Sequence, residues 1–300
     1  EVLPPSAVIS NCDVQRTLSG LLGTPSAKSR RTKIARTYTP ACSGLVLYLG
    51  LDRQYEHLAH HNFIFSGDSR QEFDDIYARG IPARDPSIYL CVPSRSEPTQ
   101  APPGGEALYA LIHTPYLRQG QRWEGPGGLL EQYRPVVIDK LKTCGAAAMP
   151  DLEQHIVCEH TLTPGGIERL YNAEGGAIYG LASHGRLAGG FKPRNRSRVY
   201  KNLYLAGGSV NPGPGVPMVL MSGVTAARSL AEDLGASVPP ASEVVREPVP
   251  ATPARPAGGG WAECPHARGH GFPRGRVRPH ALHGASAPDP LPAHAQFSPL

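Results

Sequence analysis

The sequence has no two cysteines close enough to form a redox or metal motif. Its six cysteines (Cys12, Cys42, Cys91, Cys144, Cys158 and Cys264) are scattered, with no CxxC pair. That spacing argues against a disulfide scaffold and against a tetrahedral zinc site. It favours a reducing compartment with buried thiols. No apolar run reaches the ~20 residues needed to span a bilayer, and the N-terminus lacks a signal-peptide layout. Lysine and arginine never gather into one dense block, which sets nucleic-acid binding aside. There is no G-x-x-x-x-G-K-[ST] and no G-x-S-x-G, so a P-loop is excluded and Ser209 is no nucleophile-elbow serine. A G-x-G-x-x-G is missing too, since the nearest stretch, "GPGVPM", ends in Met218. The chain opens at Glu1 rather than Met, as a piece of something longer would.

Glycine and proline, by contrast, are plentiful. The 300 residues contain 34 Gly and 32 Pro, with 18% charged and 40% hydrophobic residues and a net charge of +5. That length suits one large domain or two modest ones. The mild basic excess fits an anionic lipid surface or a phosphorylated cofactor without selecting either. Much of the proline lies after residue 236, where no helical or strand period persists, so 236–300 is expected to be a disordered tail. Cys264, His266 and His270 within it look like fragments of a metal site, but a biased tail explains them without a ligand.

Upstream the pattern is mixed α/β. "SAVISN" is a short β-branched run, followed by Asn11 and Asp13 as N-cap residues for an amphipathic stretch at Val14, Leu18, Leu21 and Leu22. Strands are expected at 43–51, 60–65, 87–92 and 107–113. A helix starting near Asp68 should carry Phe73, Ile76 and Tyr77 on one face, and another is expected over 129–141 with Pro135 kinking or delaying it. Thr163 and Pro164 read as a cap and first residue of a further helix. Strands in succession point to an antiparallel or mixed sheet, not strict βα alternation.

The densest signal is "NLYLAGGSVNPGPGVPMVLMSGVTAARSLAEDLG", from Asn202 to Gly235. An apolar strand leads through a loop rich in Gly and Pro into a helix beginning at Pro217. That helix carries Leu220, Val224, Ala227, Ala231 and Leu234 as an apolar stripe, and Gly235 as its cap. Gly223 inside it suggests a tight packing point. Such an arrangement presents free N–H groups and a positive dipole end to an electron-rich ligand, though a plain βα connection would look similar.

That stretch resembles the C-terminal flavin-binding signature of the bacterial-type carotenoid (phytoene) desaturases, FAD-dependent flavoproteins of the amine-oxidase-like type. "VISNCDV", "CSGLVLYLGLD", "LAHHNFIFSGD", "DPSIYLCVPSRSEPTQAPPGGEALYAL", "GAIYGLASHG" and "KPRNRSRVYKNLYLAGG" resemble further blocks of that family, in its order, over roughly residues 5–235. The resemblance implies the C-terminal part of a two-domain oxidoreductase. Residues 1–34 would be a late segment of the FAD domain, 35–195 the substrate domain, and 196–235 the closing strand, loop and helix of the FAD domain. It further implies that Gly207, Gly208 and Ser209 sit near the ribityl and pyrophosphate part of FAD. Gly213, Gly215, Val216 and Met218 would approach the isoalloxazine. Asn211 stands where the family more often has His.

The implied reaction is desaturation of a carotenoid or its precursor by hydride transfer to flavin, with an apolar tunnel orienting the polyene. The strands at 44–51 and 107–113 suit its lining, and ordinary sheet core suits any one of their side chains at least as well. Related oxygenases and isomerases share the same blocks, and an inactive fragment lacking the dinucleotide-binding half is the alternative of a different class. No metal is expected and no catalytic residue is assigned. His60 and His61 are expected to be solvated or hydrogen-bonded, and His184 and Arg186 lie shortly before the flavin strand. Arg194 and Arg196 are expected in a solvated loop, with contact to phosphate or headgroups as the alternative. The implied setting is the bacterial cytoplasm, with peripheral attachment to the membrane.

Overall fold

The computed structural model describes residues 6–183, 191–198 and 200–236. The tail beyond 236, with Cys264, His266 and His270, and the pair His184 and Arg186 lie outside the described residues. The chain forms two compact units: residues 42–170 make one, and the described residues on either side of them make the other. As expected, the fold is mixed α/β, with one parallel strand pair and one antiparallel sheet.

The first unit begins with β1 (Val8–Ser10), which runs parallel to β7 (Leu203–Leu205). After β1, Asp13 accepts the Gln15 and Arg16 N–H groups and starts α1 (Val14–Arg16). The helix widens over 17–21, and Val14 and Leu18 are buried. Asp13, not Asn11, is therefore the cap, and Leu21 faces outward. Next comes α2 (Pro25–Thr37), with Thr24 capping the Ala27 N–H and Pro25 in the first turn. The Thr-Pro pair announces this helix by the same chemistry as Thr163-Pro164, although its apolar period is too weak to stand out. The unit ends with α7 (Val216–Leu234), closed by the left-handed Gly235.

Three expectations for α7 fail. It begins one residue earlier, placing Pro217 at its second position. Its buried contacts are made by Ser222 and Ala226, while Leu220, Val224 and Leu234 are exposed. Gly223 is not a packing point either, since a Cβ there would meet nothing within 4 Å. The helix docks through small residues because they let it sit close to β7, and its larger apolar stripe faces outward.

The second unit is a five-stranded sheet in the order β3-β4-β5-β2-β6. Its strands are β2 (Ser43–Leu51), β3 (His61–Ile64), β4 (Ile88–Cys91), β5 (Glu106–Thr114) and β6 (Ile156–Leu162), all neighbours antiparallel. β6 was not foreseen, because "IVCEHTL" mixes polar and apolar residues at a half-covered sheet edge. One sheet face carries Leu45, Leu47, Leu49, Leu51, Ile88, Leu90, Leu108, Ala110 and Ile112 into the core. Against it packs α4 (Leu129–Thr143) through Tyr133, Val137, Ile138 and Leu141, and Pro135 stays inside that helix. α3 (Ser69–Phe73) starts where Asp68 accepts the Gln71 N–H. The helix continues in a wider form over Asp74–Arg79, with Glu72, Asp75 and Ile76 buried. Ile76 is buried and Tyr77 half-buried, while Phe73 stacks on Tyr77 but is itself exposed. The Glu72 carboxylate accepts both the Ser87 N–H and the Ser87 hydroxyl, each at 2.7 Å, and these bonds set the helix rotation. The short α5 (Leu152–His155) leads into β6, and α6 (Pro164–Tyr171) begins with the Gly166 N–H donating to Thr163 Oγ1.

Cys42 is buried, whereas the free thiols Cys12, Cys91 and Cys144 are half-buried, so burial of every thiol does not hold. No described helix is long and apolar enough to cross a membrane.

Candidate functional site

Two surfaces carry the chemistry, one in each unit. In the first unit, β7 is buried along its whole length and delivers the chain into the loop 206–215. Gly207, Gly213 and Gly215 have φ of 113°, 126° and 108°, values that side chains other than hydrogen rarely allow. The Asn211–Pro212 peptide is cis. At Gly208 a Cβ would come within 3.4 Å of Pro214, so backbone approaches backbone there.

The loop is tied down from beneath. Asn195, buried, donates its side-chain N–H groups to Leu205 O at 3.0 Å, Ser222 Oγ at 3.0 Å and Asn211 O at 3.1 Å. Ser222 Oγ accepts the Gly207 N–H at 3.1 Å. Lys192, also buried, donates its ammonium to the carbonyls of Leu181 and Ala182, and its stem lies 3.7 Å from where a Cβ on Gly213 would be. Burial pushes the Lys192 amine below the usual lysine range. Ser209 is buried and its Oγ accepts the Val14 N–H at 2.9 Å. Gly180, at φ 65°, leaves room for Ser209, whose Cα would be 2.9 Å from a Cβ there.

The anticipated cofactor residues thus fall into two groups. Gly207, Gly208, Ser209 and Gly213 form the tied base, half-buried or buried. Gly215, Val216 and Met218 stand exposed at the start of α7, with Val216 73% exposed. No side chain caps this helix end. A 19-residue helix with an uncapped, exposed N-terminus offers the Val216 and Met218 N–H groups and a positive dipole end to a ligand. Lys192, Asn195, Ser222 and Gly180 were not singled out from the sequence. "KPRNRS" was noticed for its arginines, and only the packing shows that its Lys and Asn hold the loop.

Beside α1, a shallow cleft is lined by Arg30, Arg194, Arg196 and Arg198 with Val14 and Ile34. Arg196 is exposed, as a solvated loop residue would be, and is paired with Glu232 and Asp233 at 2.7 and 3.0 Å, which leaves it less available to a phosphate. Arg30 is held below the usual arginine range by burial and then by the charge of Arg198.

In the second unit, the sheet face opposite α4 is aromatic. The registers place Tyr48 opposite both Tyr109 and His160, Tyr109 opposite Cys91, and Tyr89 opposite Phe63. Ring contacts run from His160 to Tyr48 (6.0 Å), Tyr109 (5.4 Å), Tyr89 (6.1 Å) and Phe63 (5.1 Å). Each of the five strands contributes one ring, which makes a ladder about 19 Å across at ~4.8 Å per strand. Phe63 is 61% exposed and stacks on the exposed Phe65. Val46, Leu111 and the half-buried His113 complete the face. His60 and His61 are hydrogen-bonded at its edge, as expected.

No family model matches this chain. Among curated proteins it is 42% identical to the 4,4'-diaponeurosporene oxygenase of Staphylococcus haemolyticus over 219 residues, 72% of this chain and 41% of that protein. It is 40% identical to the 4,4'-diapolycopene oxygenase of a Methylomonas species over 239 residues, 78% of this chain and 46% of that protein. The 4,4'-diaponeurosporene oxygenase of Staphylococcus aureus MSSA476 is 37% identical over 223 residues, 74% and 43% of the two chains. The chain thus spans less than half the length of these relatives. A solved oxidoreductase from Methanosarcina mazei superimposes with a TM-score of 0.42 at 16% identity over 77% of this chain and 44% of that one, too loose a likeness to build on. The resemblance to carotenoid-modifying enzymes of the amine-oxidase-like type holds at the level of sequence.

Proposed function

We propose that this chain is the later part of a flavin-dependent oxidoreductase that modifies a carotenoid-type polyene. FAD is the flavin that the loop and the family blocks suit. The observation that carries this reading is the loop 206–215. Three glycines in side-chain-forbidden conformations, braced by Asn195, Ser222 and Lys192, lead to an exposed, uncapped helix end. Residues Gly207 to Met218 would hold the late-bound portion of FAD, with the Val216 and Met218 N–H groups facing electron-rich ring atoms. Bound flavin supplies a two-electron acceptor, which an apolar polyene needs because it offers no carbonyl or phosphate for other chemistry.

The chain's own contribution at the polyene is orientation. The ladder Phe63, Tyr89, Tyr109, Tyr48 and His160 offers flat π surfaces to a flat conjugated chain, and Val46 and Leu111 keep that surface dry. An extended substrate lying across the strands would touch one ring per strand. This supports the expectation that β2 and β5 line the substrate path. The intact enzyme would lie on the cytoplasmic membrane surface, the source of so apolar a substrate.

The first unit also suits only part of a cofactor domain. A parallel pair of strands is too little sheet to stand alone, and parallel strands are ordinarily covered on both faces. Ile9 on β1 and Leu220 and Val224 on α7 are exposed apolar surface that an earlier half would cover. The match covers less than half of each relative, so those proteins have enough further chain for such a half.

Two finer reactions fit. Oxygenation has the relatives' names behind it, and desaturation follows from the family blocks. The test joins this chain to the part of the S. haemolyticus relative that it does not match and supplies diaponeurosporene. A product heavier by oxygen supports oxygenation, and one lengthened in conjugation with hydrogen lost supports desaturation. An unchanged substrate in the presence of bound flavin defeats the polyene assignment.

A further inference from the structure

At one end of the aromatic ladder, β3 places His61 directly opposite Cys91 on β4. Both side chains stand on the ladder face. His60 precedes His61, and in a regular strand its ring would point to the other face. Instead the backbone bends at His60, and the two imidazoles meet edge-on with centroids 4.3 Å apart. The potential ligand atoms of His60, His61 and Cys91 all lie within 4.8 Å of one another.

Each imidazole is also oriented by a hydroxyl. Nδ1 of His60 is 2.6 Å from Ser96 Oγ, and Nδ1 of His61 is 2.9 Å from the Tyr89 hydroxyl. When the hydroxyl oxygen accepts the Nδ1 proton, the lone pair is left on Nε2. Metal-binding histidines are set in this way, with an outer partner fixing the tautomer and the ring. Two histidines so arranged around one half-buried thiol are a donor set, where a pair of solvated surface histidines would carry no such partners.

We propose that His60, His61 and Cys91 bind a borderline-soft divalent cation, zinc in the first place, through two imidazole nitrogens and one thiolate, with the fourth position open to solvent. The donor types select zinc over magnesium or calcium, which take oxygen ligands. Ligand atoms around a tetrahedral zinc are ~3.3–3.8 Å apart for bonds of about 2.0–2.3 Å, so side-chain rotation at this partly exposed edge closes the site. Binding releases the Cys91 thiol proton to water. The ion would clip the edge strand β3 to β4. No CxxC spacing announces the site, because strand pairing rather than sequence proximity assembles it. It lies wholly within the second unit and does not depend on the flavin reading.

The test is cobalt and zinc titration of the reduced, chelator-stripped chain. One Co(II) per chain is expected, with a sulfur-to-cobalt charge-transfer band in the near ultraviolet that zinc displaces. Cys91→Ser should lose that band, while Cys12→Ser and Cys144→Ser keep it. His61→Gln and Tyr89→Phe should each weaken binding ~10-fold or more. Circular dichroism checks that each variant is folded. If Cys91→Ser does not fold, His61→Gln is the deciding variant, and unchanged affinity in it overturns the proposal. No saturable one-to-one binding, or a charge-transfer band surviving in folded Cys91→Ser, also overturns it.

Discussion

Ser209 Oγ accepts the Val14 N–H at 2.9 Å and so joins the glycine loop to the first turn of α1, far away in sequence. The bond satisfies a helix-start N–H that has no intrahelical partner, and it buries the serine. Ser209 is therefore a brace of the loop before it is anything else.

Ser209→Ala should cost about 1–2 kcal/mol, the usual loss for a buried hydroxyl at a helix start. Urea unfolding of the chain measures it. Unchanged stability would show that the hydroxyl has a different primary role.

Two glycine-to-alanine changes should have opposite signs. Gly180→Ala drives a Cβ against Ser209 at φ 65° and should destabilise by about 2 kcal/mol. Gly223→Ala places a methyl in open space on α7 and should stabilise by about 0.5–1 kcal/mol. Thermal unfolding of the two variants checks this, and a loss of stability at Gly223 would mean that the helix packs there after all.

The contrast between these glycines shows what the sequence made legible. Strand cores such as "SGLVLYLGL" and caps such as Asp13, Asp68 and Thr163 declare themselves, because burial and helix-start hydrogen bonds depend on local residue type. The positive-φ glycines of the loop were legible for the same reason. The rotation of α7 was not. Its apolar stripe suggested a buried face, yet the described residues bury Ser222 and Ala226. The roles of Lys192 and Asn195 were hidden as well, since a buried lysine and asparagine are recognisable only from the carbonyls they meet.

Lys192 makes a pH-dependent prediction. Its folded pKa lies below its ordinary value of 10.5. Between those values the unfolded chain binds a proton that the folded chain does not, so stability rises with pH across that window. Lys192→Met removes this rise. Unfolding free energies of both proteins, measured from neutral pH toward 10.5, should diverge with the parent gaining as pH increases. Parallel curves would contradict it.

Tyr48→Ala and Tyr109→Ala remove adjacent rungs of the ladder on a partly exposed face. Each should weaken polyene binding roughly 10-fold, since an aromatic pair contributes about 0.5–1.5 kcal/mol beyond its buried area. Stability should change little. Retention of carotenoid absorbance during gel filtration reads the first effect, and denaturant midpoints read the second.

The central claim is that the loop 206–215 holds flavin once an earlier half completes the first unit. The most direct measurement is flavin absorbance per polypeptide, made on this chain alone and on the same chain joined to the unmatched part of the S. haemolyticus relative. The account predicts little or no flavin in the first, close to one per polypeptide in the second, and loss of that flavin in the joined protein when Gly215 is changed to Val. A joined protein that is folded and carries no flavin, or one whose flavin is indifferent to Gly215→Val, would contradict it.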